Sequence, residues 1–133
     1  MTVQDVIKAH PKPTSVDHNA LLRCIEECLD CTASCTSCAD ADLAEDDVHE
    51  MVRCIRLCLD CADACGITAR IAIRQTAPDL RVLRAIVEAC AAACKACGDE
   101  CERHAAHHEH CRICAEVCRR CEQACRDLVA AIG

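Results

Sequence analysis

Residues 21–31 read LLRCIEECLDC and residues 51–61 read MVRCIRLCLDC. In each, a cysteine follows the last by four residues and then by three. That 3.5-residue rhythm is the inward a/d seam of a helix packed in a bundle. The flanking Leu, Arg and Glu are good helix formers, and the echo between the stretches marks a duplicated helical unit.

The rhythm continues in both directions. The first long segment carries Cys24, Cys28, Cys31, Cys35 and Cys38; the second Cys54, Cys58, Cys61 and Cys65; the third Cys90, Cys94, Cys97 and Cys101; the fourth Cys111, Cys114, Cys118, Cys121 and Cys125. Breakers set the limits. Residues 2–10 can form a short helix through Val3, Val6 and Ile7, which Pro11 and Pro13 end, so residues 1–15 read as an N-terminal arm. Thr14 with Asp17 resembles a capping box opening a helix to about Glu45; Asp46 or Asp47 caps a second, to about Gln75; Pro78 sits in the first turn of a third, to about His104; a fourth spans about His107 to Ile132. Four segments of roughly 25 residues with short connections predict an all-α, antiparallel, up-down-up-down four-helix bundle over residues 16–133 with a Cys-lined core.

Alternating the helix directions stacks the seam into layers: Cys24, Cys65, Cys90 and Cys125; Cys28, Cys61, Cys94 and Cys121; Cys31, Cys58, Cys97 and Cys118; Cys35, Cys54, Cys101 and Cys114. The next layer holds Cys38, Met51, His104 and Cys111, and beyond it lie Asp42, Asp47, His107 and His108. At the other end the seam offers Leu21, Thr68, Val87 and Leu128. One end is therefore a polar mouth and the other an apolar plug, and Met51, His104 and His108 are candidate metal-admitting residues. His107 and His110 fit either a surface or a ligand role.

Composition narrows the chemistry. The 133 residues include eighteen Cys, seven His and no Phe, Tyr or Trp, so the side chains that usually dominate a core are missing. The first twenty residues show no secretory signal, which places the free thiols in a reducing cytosol. A formal net charge of −7 argues against a nucleic-acid partner, and no apolar run approaches the roughly 20 residues needed to cross a membrane. Expected, then, is a soluble cytoplasmic protein.

Neighbouring thiols on one helix, at i and i+4, have Cβ atoms about 5–6 Å apart, too far for a disulfide but suited to a thiolate–metal–thiolate bridge. Zn(II) favours discrete tetrahedral sites at turns, and iron–sulfur signatures are loop motifs. Thiolates along straight helices favour a soft ion that accepts bridging, Cu(I) above all, at roughly one ion per Cys. A metallothionein-like buffer for Zn(II) or Cd(II) is the alternative. An enzyme is not expected, because a reactive Cys needs an exposed, electropositive setting.

The repeated inward CxxxC pairs, 24/28, 31/35, 54/58, 61/65, 90/94, 97/101, 114/118 and 121/125, resemble the bacterial cysteine-rich copper storage proteins over about residues 16–133. The resemblance implies a four-helix bundle that fills with Cu(I), with the eighteen Cys as ligands. Lack of an export signal is similar to the cytosolic branch, implying a homotetramer of bundles supplied by a copper chaperone or chelator.

Overall fold

The computed structural model describes residues 2–133. Five α-helices follow one another: α1 Val3–Lys8, α2 His18–Leu43, α3 Val52–Ala72, α4 Leu80–His104 and α5 Glu109–Ile132. A single 3-10 turn, Val48–Glu50, precedes α3. There is no strand among the described residues, and no described helix is long and apolar enough to cross a membrane. The four long helices form a square in which α2 packs on α3 and α5, and α4 on α3 and α5. This is the expected four-helix bundle.

Local hydrogen bonds correct several helix starts. Asp17, not Thr14, caps α2, its Oδ1 accepting from the Ala20 N–H at 2.8 Å; Thr14 instead accepts from Val16. Asp47 begins the 3-10 turn, so α3 opens five residues later, at Val52, with Met51 in the cap position. Gln75 is not helical; its buried amide donates to the Ala72 carbonyl at 2.6 Å and closes the end of α3. Pro78 lies outside α4, which Asp79 caps by accepting from Arg81 and Val82 at 2.9 and 3.2 Å. The fourth long helix opens with His108 as its cap.

Leu21, Val87 and Leu128 are fully buried with Thr68, and Leu83 is nearly so, forming the apolar plug that the seam specified. In the arm, Thr2 and Asp5 complete a capping box for α1, and Ile7 is buried against the core. Gly66, inside α3, offers a direct test of helix stability. A Cβ there would meet only Thr32, at 3.8 and 3.9 Å, an ordinary contact. Gly66→Ala should stabilise the metal-free protein by about 1 kcal/mol, read as a rise of several degrees in its thermal midpoint. No rise would mean that Thr32 has to move.

Candidate metal centre

All eighteen cysteines are buried and free. Their Sγ atoms form a column along the bundle axis. Across α2 and α5 the pairs are Cys24–Cys125, Cys28–Cys121, Cys31–Cys118 and Cys35–Cys114, at 3.9, 3.7, 3.9 and 3.7 Å. Across α3 and α4 they are Cys65–Cys90, Cys61–Cys94, Cys58–Cys97 and Cys54–Cys101, at 3.7, 3.8, 3.6 and 3.9 Å. Each of these is a pair within one expected layer.

The layers are not flat squares, however. Cys28 touches Cys90, Cys31 touches Cys61, and Cys35 touches Cys97, each at 3.8 Å. Cys121 reaches Cys65 at the same distance. The α2/α5 pair of one layer thus sits beside the α3/α4 pair of the layer below it. Thiols are too short to fill a planar four-membered layer, so the two sides interdigitate as knobs into holes.

Stagger changes the chemistry available. The four-thiol groups whose sulfurs all lie within 4.8 Å of one another, such as Cys31–Cys35–Cys61–Cys118 and Cys35–Cys97–Cys114–Cys118, span adjacent layers and share members. Separations near 3.8 Å match the edge of a tetrahedron with metal–sulfur bonds of about 2.3 Å. Shared vertices make a lattice in which one sulfur can serve more than one ion.

The thiols also share protons. Cys24 is pushed down to about 5, chiefly by a hydrogen bond from Cys125, and Cys121 to about 7 by Cys125 and Cys28. Cys125, which faces Cys121 and Cys24, is shifted up. Cys31 is likewise lowered by Cys118, and Cys35 raised by Cys114. Thiols that keep their proton thereby stabilise neighbouring thiolates. Most of the column must still lose protons when metal binds, since the thiolate is the ligand. Loading in weak buffer at pH 7 should release about one proton per bound ion, and fewer as pH rises past about 8.5, the free-thiol value. A pH-indicator dye checks this, and little or no proton release at pH 7 would mean that the thiolates exist beforehand.

At the mouth the structure brings together Cys38, Cys111, His110 and Asp42. His110 Nδ1 lies 3.4 Å from Cys38 Sγ and 3.6 Å from Cys111 Sγ. Asp42 is fully buried, and its Oδ1 accepts from Cys111 at 3.7 Å. Burial, followed by the contact with Cys54, pushes its carboxyl up to about 8. Met51 is fully buried. His104 Nε2–H donates to the Glu100 carboxylate, 3.0 Å away, in a buried-carboxylate cluster with Arg53 and Arg103. His108 lies between two carboxylates, Glu45 at 2.5 Å and Asp47 at 3.1 Å, and its hydrogen bond to Asp47 holds it above the usual imidazole range.

Asp42 was legible in the sequence, because it continues the 4-3 rhythm four residues beyond Cys38. His110 was not. It stands one position before Cys111, off the seam, and reaches α2 only because it lies in the first turn of α5.

Relatives share this architecture. A sequence profile described as copper storage protein matches residues 17–130. The structure is similar to that of a copper storage protein from Streptomyces lividans loaded with 10 copper equivalents, with 53% identity over 98% of this chain and 99% of that one and a TM-score of 0.95. It is also similar to a cytosolic copper storage protein from Streptomyces lividans with five coppers, at 56% identity, 86% and 96% coverage and a TM-score of 0.85. Cu(I)-bound BsCsp3 matches at 38% identity, 80% and 94% coverage and a TM-score of 0.71. With its match running through all four long helices and every cysteine of the column, this chain belongs to the copper storage protein family.

Proposed function

We propose that this protein stores many Cu(I) ions in the cytoplasm, held by Cys24, Cys28, Cys31, Cys35, Cys38, Cys54, Cys58, Cys61, Cys65, Cys90, Cys94, Cys97, Cys101, Cys111, Cys114, Cys118, Cys121 and Cys125. The observation that supports it is the uninterrupted column of free, buried, mutually touching sulfurs. Charge favours Cu(I) over divalent metals in this column. One monovalent ion per thiolate leaves the core neutral, whereas a four-thiolate Zn(II) unit buries about two net negative charges, which is costly at low dielectric. Buried thiolates saturated with metal leave no exposed nucleophile, in keeping with storage and not catalysis.

The test is anaerobic Cu(I) titration of the reduced protein, followed by thiolate-to-metal charge transfer. Saturation near the cysteine count is expected; one or two equivalents would end the storage reading. The alternative, Zn(II) or Cd(II) buffering, draws on the tetrahedral sulfur spacing and predicts saturation at about a quarter of the cysteine count.

Metal is admitted at the mouth, with Met51, His104 and His108 as way-stations, while the leucine-lined plug shuts the other end. Replacing all three by Ala should slow both loading and removal by roughly tenfold in stopped-flow with a copper chelator; unchanged rates would exclude this portal. The bundle assembles as a homotetramer. Leu29, Leu59, Ile67 and Ile113 support it, being nearly half exposed on outer helix faces. A monomeric mass in solution would refute the assembly. A copper chaperone or small chelator delivers the ion.

A further inference from the structure

We propose that Thr68 terminates the sulfur column at its plugged end, its hydroxyl donating a hydrogen bond to the ionised Cys24–Cys125 pair once Cu(I) is bound. This rests on the reading of the column as a copper store and names the residue that ends it.

Thr68 holds the place of a thiol. The α2/α5 pair of each layer sits level with the α3/α4 pair of the next layer toward the plug: Cys28 touches Cys90, and Cys121 touches Cys65, each at 3.8 Å. One step further along, the same offset sets Cys24 and Cys125 level with Thr68 and Val87. The seam position of α3 that follows Cys58, Cys61 and Cys65 is therefore filled by a hydroxyl. Cys24 and Cys125, 3.9 Å apart, are the last sulfurs before the plug.

That hydroxyl is costly where it stands. Thr68 is 1% exposed, and its Oγ1 has no hydrogen-bond partner among the described residues. Valine would fill the same volume without leaving a buried donor unpaired. A helical threonine can satisfy its hydroxyl on the carbonyl four residues earlier. Thr32 does so on Cys28 at 2.8 Å, and Thr36 on Thr32 at 2.7 Å. Thr68 makes no such bond to Ala64. Helical side chains lean toward the N-terminus of their helix, and α3 begins at the mouth, so Thr68 leans back toward the sulfurs. Val87 leans away from them, because α4 begins at the plugged end. Among Leu21, Thr68, Val87 and Leu128, only Thr68 carries a proton to donate.

Bound copper supplies the acceptor. A sulfur inside the lattice has ions to both sides, whereas Cys24 and Cys125 have them on one side only. Their far side is buried against the plug, where an unsolvated negative charge is expensive. A hydroxyl donated to a thiolate is a charge-assisted bond, stronger than one between neutral groups. Rotation about the Thr68 Cα–Cβ bond turns the hydroxyl to the sulfurs, and the proton stays on oxygen. Thr68 is thus a positioning residue and not a ligand: its hydroxyl destabilises the empty bundle and strengthens the full one.

Two substitutions separate these effects. Thr68→Val should raise the thermal midpoint of the metal-free protein by roughly 3–6 °C, yet surrender about one Cu(I) to bicinchoninate at roughly a tenth of the chelator concentration that the unaltered protein withstands. Thr68→Ser keeps the hydroxyl and loses a methyl group, so its metal-free midpoint should fall while copper retention stays at the unaltered level. In a Cys24→Ala background, Thr68→Val should weaken retention no further. Retention that follows metal-free stability in both variants, or that is unchanged in Thr68→Val, overturns the proposal. The unaltered protein is titrated alongside. Saturation there at one or two equivalents ends the store and this role together, whereas saturation near the cysteine count with an unaffected Thr68→Val variant ends only the role of Thr68.

Discussion

Loading with Cu(I) is expected to raise the thermal midpoint of this protein by tens of degrees. In its metal-free form the core is thinly filled: no aromatic side chain is available, and the large fully buried residues are Leu21, Ile25, Met51, Val87 and Leu128. Sulfur-lined layers contribute little apolar area each, so metal-free stability should lie within or below the ordinary range of about 5–15 kcal/mol. Ions that bind the folded column more tightly than the unfolded chain add to it by linkage. Unfolded thiols bind Cu(I) too, so only the advantage of the assembled lattice counts. A tenfold preference per ion is about 1.4 kcal/mol. Over roughly one ion per cysteine the sum exceeds about 20 kcal/mol, more than the metal-free protein possesses. Differential scanning calorimetry at increasing copper ratios measures the effect. A midpoint that stays put on loading would show that the ions sit outside the bundle or open it.

Cysteines should also differ in what their removal costs. Cys31 touches Cys35, Cys61 and Cys118 and belongs to two of the overlapping four-thiol groups. Cys24, beside the plug, is in sulfur contact with Cys125 at 3.9 Å. If the sulfurs act as a lattice, Cys31→Ala should reduce copper capacity by about three ions and Cys24→Ala by about one, because neighbouring sites that share a ligand are not independent. Metal analysis after saturation and desalting decides it. Equal losses of a single ion would mean separate sites, each owned by its own residue. Both variants remove only one buried sulfur atom, so a comparison of their metal-free melts separates a folding defect from a ligand defect.

The two results bear on how much the chain reveals before it is folded. The 4-3 spacing determined by itself that each long segment is a helix, that the thiols of α2 to α5 share one inward face, and that antiparallel packing pairs Cys24 with Cys125 or Cys58 with Cys97. These follow because a seam every 3.5 residues allows only one stripe of a helix to face its neighbours. The plug of Leu21, Val87 and Leu128 came from the same reading. Local hydrogen bonds, and not the pattern, moved the start of α4 from Pro78 to Leu80, since Asp79 can satisfy two open N–H groups and proline cannot. Tertiary structure alone decided the axial offset between the α2/α5 and α3/α4 sides, which turns flat layers into a shared lattice. Periodicity fixes the face a residue occupies but not its height against a partner helix, and small thiols permit that shift. Tertiary structure likewise brought His110 to Cys38 and gave His104 to Glu100. A residue off the seam meets the core only where a helix begins and no preceding turn stands in its way.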